Sequence, residues 1–163
     1  MTKIREIIDI SSGYTSYVDL FAEYNDPEDN QERMRRYRPI KAHRLAFEKI
    51  ANALNPKDRR FYFLSGSYGT GKSHLLLMLA NYFSKPSDLK EMEDFFQGYK
   101  QAQDQVMLKS GEVLQERSAA SLKALRSSKR FLVAICNFDW NLDFEGAVIR
   151  SVEEAFEREG ITS

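Results

Sequence analysis

The sequence predicts an α/β fold, a three-layer sandwich in which helices cover both faces of a parallel sheet. Three observations carry that expectation. Two short apolar runs, Arg60-Phe61-Tyr62-Phe63-Leu64-Ser65 and Phe131-Leu132-Val133-Ala134-Ile135-Cys136, have the composition of buried strands. Each is followed by a segment of helix-forming composition or spacing, residues 74–83 after the first and 144–156 after the second. Strand, helix, strand, helix implies right-handed crossovers within one sheet, with a ligand site at the carboxyl ends of the strands.

The elements follow in order. Ile4, Ile7, Ile8 and Ile10 give the opening segment apolar character until Ser11-Ser12-Gly13 breaks it, and residues 14–24 form a short aromatic stretch without a clear period. Asn25-Asp26-Pro27-Glu28-Asp29-Asn30 reads as a polar turn or loop. Pro39 keeps Arg38 extended and lets a helix start behind it. From Ile40, apolar residues at Leu45, Ala46, Ile50, Ala51 and Leu54 keep helical spacing until Asn55-Pro56 stops the pattern. The chain thus divides into an N-terminal segment, residues 1–39, and a core portion, residues 40–163.

Inside the core portion a helical insertion is expected over residues 86–128. Pro86-Ser87-Asp88 supplies a break and an N-cap, after which Leu89, Met92, Phe95, Phe96 and Tyr99 fall on one helical face. A second set, Val113, Leu114, Leu122 and Leu125, points to another helix, the two meeting near Lys109-Ser110-Gly111. The aromatic stripe reads as packing surface rather than a ligand site. After the second strand, Asp143 caps a helix with Phe144, Val148, Ile149, Val152, Ala155 and Phe156 along one side, and Gly160 ends it.

Composition narrows the function classes. A chain of 163 residues, 42% hydrophobic and 29% charged, suits one globular domain with a core. Its formal net charge of zero gives no bulk attraction to nucleic acid or an anionic membrane. The basic residues Arg33, Arg35, Arg36, Arg38, Lys41 and Arg44, and the later Lys123, Arg126, Lys129 and Arg130, read as solvated faces, the first set paired with acidic residues between Glu23 and Glu32. Cys136 stands alone, cannot close an internal disulfide, and reads as a small core hydrophobe in a reducing compartment. The N-terminus lacks a signal-peptide pattern, and the apolar run at residues 75–79 is too short to span a bilayer. A cytoplasmic location with no membrane partner is therefore expected.

The most specific feature lies between the first strand and its helix. Gly66, Ser67, Tyr68, Gly69, Thr70, Gly71, Lys72 and Ser73 match G-x-x-x-x-G-K-[ST] in full, the Walker A loop. A chance match in a chain of this length is on the order of one in a hundred. Glycines let the backbone adopt positive φ and bring successive N–H groups to phosphate oxygens without an intervening Cβ. Lys72 is expected to reach the β and γ phosphates, and the Ser73 hydroxyl to ligate Mg²⁺. The helix start behind the loop adds its dipole and unpaired N–H groups. These residues together give the fold expectation its full form, a P-loop NTPase-like sandwich.

Hydrolysis needs an acidic residue at the end of another strand to hold the metal from its far side. Asp139, in Asn137-Phe138-Asp139-Trp140, is the candidate for this Walker B role, but no acidic neighbour follows it. The competing expectation is that the sheet is incomplete, its later core strands lying beyond residue 163, so that the chain is the front part of a longer ATPase. The catalytic residues then stay unassigned.

The stretch Gly66 to Leu75, Gly-x-x-Gly-x-Gly-Lys-Ser-His-Leu, resembles the AAA+ group that includes replication initiators and helicase loaders. The wider layout is similar to the N-terminal part of large P-loop ATPases of bacterial phage-resistance systems of the BREX type. The features that carry this likeness are the Ile-rich opening, Tyr37-Arg38-Pro39-Ile40 leading into a helix, Leu64-Ser65-Gly66-Ser67-Tyr68-Gly69, and a strand followed by Asp143-Phe144-Glu145-Gly146-Ala147-Val148. The resemblance implies ATP with Mg²⁺, hydrolysis in the complete protein, and Pro39 and Ile40 near the adenine. An Asn-Lys-x-Asp guanine-reading motif is absent. It leaves phage-defence proteins, DNA and further copies of the chain open as partners beside the nucleotide. A helicase-loader-like ATPase, a small P-loop kinase and a non-catalytic ATP-binding module remain alternatives.

Overall fold

The computed structural model of the chain describes residues 19–51, 61–110, 119–126, 130–136 and 143–161, with side chains for all but residues 105–110. The elements are α1 (Leu20–Asn25), α2 (Pro27–Arg36), α3 (Lys41–Ala51), α4 (Lys72–Ser84), α5 (Lys90–Ser110), α6 (Ala119–Arg126) and α7 (Phe144–Arg158). No strand occurs among the described residues, which overturns the expected parallel sheet and with it the α/β P-loop sandwich.

The reason lies in the backbones of the two strand-like runs. Apolar and aromatic composition stabilises a strand only where another backbone pairs with it and its faces are covered. Phe61 and Phe63 are instead 83% and 84% exposed, while Leu64, between exposed neighbours, packs against the core. In the second run the Phe131 N–H donates to the Phe83 carbonyl at 3.0 Å, and the Val133 carbonyl accepts from Arg158 Nη2 at 2.5 Å. That run spends its hydrogen bonds on a helix end and a side chain, and its Phe131, Leu132 and Ala134 are exposed rather than covered.

The segment expected to be a polar loop at residues 25–30 is a helix start. Asp26 Oδ1 accepts from the N–H groups of Glu28 (3.0 Å) and Asp29 (3.2 Å), and Pro27 takes the first helical position, where its missing N–H costs nothing. Acidic residues in the first turn of α2 and Arg33, Arg35 and Arg36 in its last turn both suit the helix dipole. Asp19 caps α1 in the same way, accepting from Phe21 and Ala22 at 3.1 and 3.0 Å. Three residues of the basic run close on acidic neighbours: Arg33, itself buried, places Nε 2.8 Å from Glu23 Oε2, and Arg35 and Arg36 both pair with Glu32, whereas Arg38 donates to the Arg35 and Tyr37 carbonyls. Arg44 departs from that pattern as well. Its side chain is buried, with Nη1 donating to the Pro39 carbonyl at 2.9 Å.

Helix α4 lies at the centre. Leu75, Leu77, Met78, Leu79, Ala80, Asn81, Tyr82 and Ser84 are all buried, so from Leu77 to Tyr82 it is covered around its circumference rather than along one stripe, while Leu76 nearer its start is 40% exposed. The stripe of α5 does act as packing surface: Met92, Phe95, Phe96 and Tyr99 are buried. The Phe47 ring of α3 sits 5.0 Å from Tyr82, 5.6 Å from Phe95 and 5.8 Å from Tyr99, joining three helices through ring contacts. Such pairs add about 0.5–1.5 kcal/mol each beyond burial. Gly98 of α5 allows the α2–α3 connector to come close, since a Cβ there would stand 2.8 Å from the Tyr37 carbonyl.

Helix α7 begins on the predicted cap, with Asp143 Oδ1 accepting from the Gly146 N–H at 2.7 Å, and Gly160 follows it at φ 65°. Its inward line is different from the one its larger side chains suggest. Ala147, Ser151 and Ala155 are buried, whereas Phe144 is 71% exposed and Val148, Ile149, Val152 and Phe156 also face outward. Arg158 ties this helix to the rest, its guanidinium 4.6 Å from the Tyr24 ring centre and its Nη1 donating to Asn25 Oδ1 at 3.1 Å.

Buried amides lock α2 onto α4. Asn30 Nδ2 donates to Asn81 Oδ1 at 2.9 Å, Asn81 Nδ2 returns a bond to Asn30 Oδ1 at 2.6 Å, and Asn81 also donates to the Leu77 carbonyl at 2.9 Å. Replacing Asn81 by Ala strips the buried Asn30 amide of this partner. The expected outcome in urea unfolding is a loss of about 1–3 kcal/mol, the cost of a desolvated amide without its hydrogen bonds.

Candidate nucleotide site

The phosphate-loop motif occupies the connection into α4. Leu64 anchors its upstream side in the core, and residues 65–70 run exposed to the helix start, with Tyr68 95% exposed. Gly69 (φ 78°) and Gly71 (φ 77°) both take left-handed conformations, which L side chains rarely adopt. Gly71 is also the N-cap of α4 and offers no side-chain acceptor, so the first N–H groups of the helix are left uncapped by it. The first bond inside the helix runs from the Leu75 N–H to the Gly71 carbonyl at 2.9 Å.

The loop closes around its own lysine. Lys72 Nζ donates to the Gly66 carbonyl at 2.8 Å and the Ser67 carbonyl at 2.6 Å, while Thr70 Oγ1 donates to the Ser67 carbonyl at 2.8 Å. A Cβ on Gly66 would come 3.3 Å from Thr70 Oγ1, a tight contact with a side chain of the same turn. Gly66, Ser67, Tyr68, Gly69, Thr70, Gly71, Lys72 and Ser73 therefore form one turn with an ammonium inside it and a helix N-terminus behind it. Ser73 is exposed in the first turn of α4.

Two residues absent from the motif complete the surroundings. His43 of α3 places Nε2 2.7 Å from the Thr70 carbonyl oxygen, and its Nδ1 is 3.4 Å from the Tyr37 hydroxyl. Tyr37 stacks on Phe95 with ring centres 5.8 Å apart and meets His74 edge-on at 4.8 Å. Burial holds the Tyr37 phenol well above its ordinary range, with the nearby Arg44 charge acting in the opposite direction, so it stays protonated. Burial likewise lowers the His74 imidazole to about 4 and keeps it neutral near pH 7. No spacing in the sequence points to His43, because its contact with Thr70 spans 27 positions. Tyr37 stood out only as part of the lead into α3.

Asp139 lies outside the described residues. Pro39 is buried and Ile40 exposed, one turn ahead of His43. Among the described residues no group of three or more His, Cys, Asp or Glu side chains is placed to hold a metal ion, and no helix is long and apolar enough to cross a membrane. No family model matches the chain, and neither a curated protein nor a solved structure matches it.

The His74 environment fixes a pH dependence. Its folded pKa lies below the ordinary 6.5, so the neutral ring stabilises the fold fully above pH 6.5 and progressively less as the pH falls toward 4. The whole effect amounts to about 3 kcal/mol. Urea unfolding of the wild type and His74→Leu, compared from pH 7.5 to 4, is expected to show the wild type losing stability relative to the variant across that window.

Proposed function

We propose that the chain binds ATP with Mg²⁺ on the loop of residues 66–73. The observation that carries this reading is the Lys72 ammonium held inside the turn by the Gly66 and Ser67 carbonyls, immediately ahead of the uncapped N-terminus of α4. An ammonium and several N–H groups concentrated at one short turn form an anion site, and a polyphosphate supplies the matching charge. Lys72 would bind the phosphates directly. The N–H groups of residues 69–73 would cradle their oxygens, and the Ser73 hydroxyl would join those oxygens around Mg²⁺, which neutralises the remaining charge when bound.

The support is local and owes nothing to a sheet. A glycine turn feeding a helix provides the donors whichever elements surround it, and here α4 is fixed by the core rather than by neighbouring strands. The likeness of residues 66–75 to AAA+ proteins, together with the missing guanine-reading motif, favours ATP over GTP. Binding, rather than hydrolysis, is the activity the geometry supports.

Calorimetric titration with Mg-ATP tests the proposal. Lys72→Ala is expected to weaken binding at least tenfold, about 1.4 kcal/mol or more. Ser73→Ala is expected to remove most of the affinity that Mg²⁺ adds. Excess Mg-ATP should raise the thermal midpoint of the wild type and leave that of Lys72→Ala almost unchanged. Equal affinity of the wild type and Lys72→Ala would refute the assignment.

A further inference from the structure

We propose that His43 is a positioning residue for the phosphate loop: by holding the Thr70 carbonyl toward α3, it presents the Gly71 N–H on the opposite side as a phosphate donor. The inference rests on the ATP-binding reading of residues 66–73 and assigns a role to a residue that the motif does not contain.

A carbonyl oxygen only accepts hydrogen bonds, so the 2.7 Å contact requires the proton of the imidazole to be on Nε2. In the Nε2–H tautomer Nδ1 carries a lone pair, directed at the Tyr37 hydroxyl 3.4 Å away. That hydroxyl keeps its proton and donates it. Both ring nitrogens are thereby given partners, and the imidazole is oriented from two sides. Tyr37 is itself immobilised, buried between Phe95 and His74.

The consequence for the loop follows from peptide geometry. In a trans peptide the carbonyl and the following N–H point in opposite directions. Fixing the Thr70 oxygen on the α3 side therefore turns the Gly71 N–H away from α3. This peptide is the one most in need of a hold, because glycine at position 71 tolerates both signs of φ and opposes a flip very little. The same contact excludes any other residue there: a Cβ on Gly71 would stand 2.7 Å from His43 Cε1. Gly71 thus meets two demands, a φ of 77° and an imidazole against its α-carbon.

The test uses the full chain, with Mg-ATP as the probe and Lys72→Ala as reference. His43→Ala is expected to raise the Kd about tenfold, the worth of one lost hydrogen bond and a freed peptide. His43→Gln, whose amide reaches a similar position with a donor, should return the Kd to within about threefold of wild type. In ¹⁵N spectra the Gly71 amide should shift on addition of Mg-ATP in the wild type and in His43→Gln, and far less in His43→Ala. Unchanged affinity in His43→Ala overturns the proposal, as does an equal loss in His43→Gln, which would mark a packing role. Should His43→Ala fail to fold, Tyr37→Phe keeps the stacking and removes only the hydroxyl; a Kd raised about threefold supports the inference, and an unaltered Kd refutes it. If the wild type binds no more tightly than Lys72→Ala, the ATP-binding reading itself falls first, an outcome distinct from a failure of His43 alone.

Discussion

Helix α4 is enclosed on every side from Leu77 to Tyr82, and that enclosure fixes where both of its ends must go. The Phe47, Phe95 and Tyr99 rings gather on one flank with Tyr82, while α1 packs along another, and Asn30 bonds to Asn81 from α2. A helix buried around its circumference cannot roll or slide without opening voids or parting amides, each of which costs on the order of 1–3 kcal/mol. Its N-terminus is thereby held in place and the glycine turn is presented from a rigid base. At the other end Arg130 Nε donates to the Ser84 carbonyl at 2.9 Å, Arg130 pairs with Glu159 at 2.7 Å, and the Phe131 N–H donates to the Phe83 carbonyl, so the C-terminal turn is capped rather than left open.

Several of the polar groups brought into this core meet partners there. Burial raises the Glu23 carboxyl above its ordinary range, and Arg33 pulls the other way from 2.8 Å. Tyr24 donates to Ser84 Oγ at 2.8 Å, and Tyr82 donates to the Leu122 carbonyl at 2.8 Å, joining α1 and α6 to the central helix. These bonds are few in number but directional. They select one register for helices that ring packing alone would tolerate in several.

The charge pattern has the same local logic. Glu32 serves two arginines of its own helix, an arrangement that exposed side chains make at little net gain but which keeps the basic run from forming one continuous positive face. Arg44 and Arg126 leave the solvent altogether, and Arg126 lies 5.7 Å from the centre of the Tyr82 ring. A count of basic residues along residues 33–44 therefore overstates the charge available to an outside partner.

By itself the sequence determined what depends on a few adjacent residues. The glycine turn, the α4 helix behind it, the Asp143 cap and the aromatic stripe of α5 were all legible, because φ preferences, capping and helical periodicity act within one or two turns of chain. The Asp26-Pro27 helix start was legible too in principle, but its turn-forming residues also spell a loop, and only the capped geometry separates the two. Tertiary structure decided the rest. Whether Phe61 to Leu64 and Phe131 to Cys136 become strands depends on a pairing backbone that composition does not encode, and here their groups go to Phe83, Arg158 and the core. Which side of α7 turns inward is likewise set by its surroundings in the fold, where Ala147, Ser151 and Ala155 are buried and the larger apolar residues are not. His43 reached the loop for the same reason: a contact across 27 positions is set by packing, and packing is a property of the assembled helices rather than of any window of sequence.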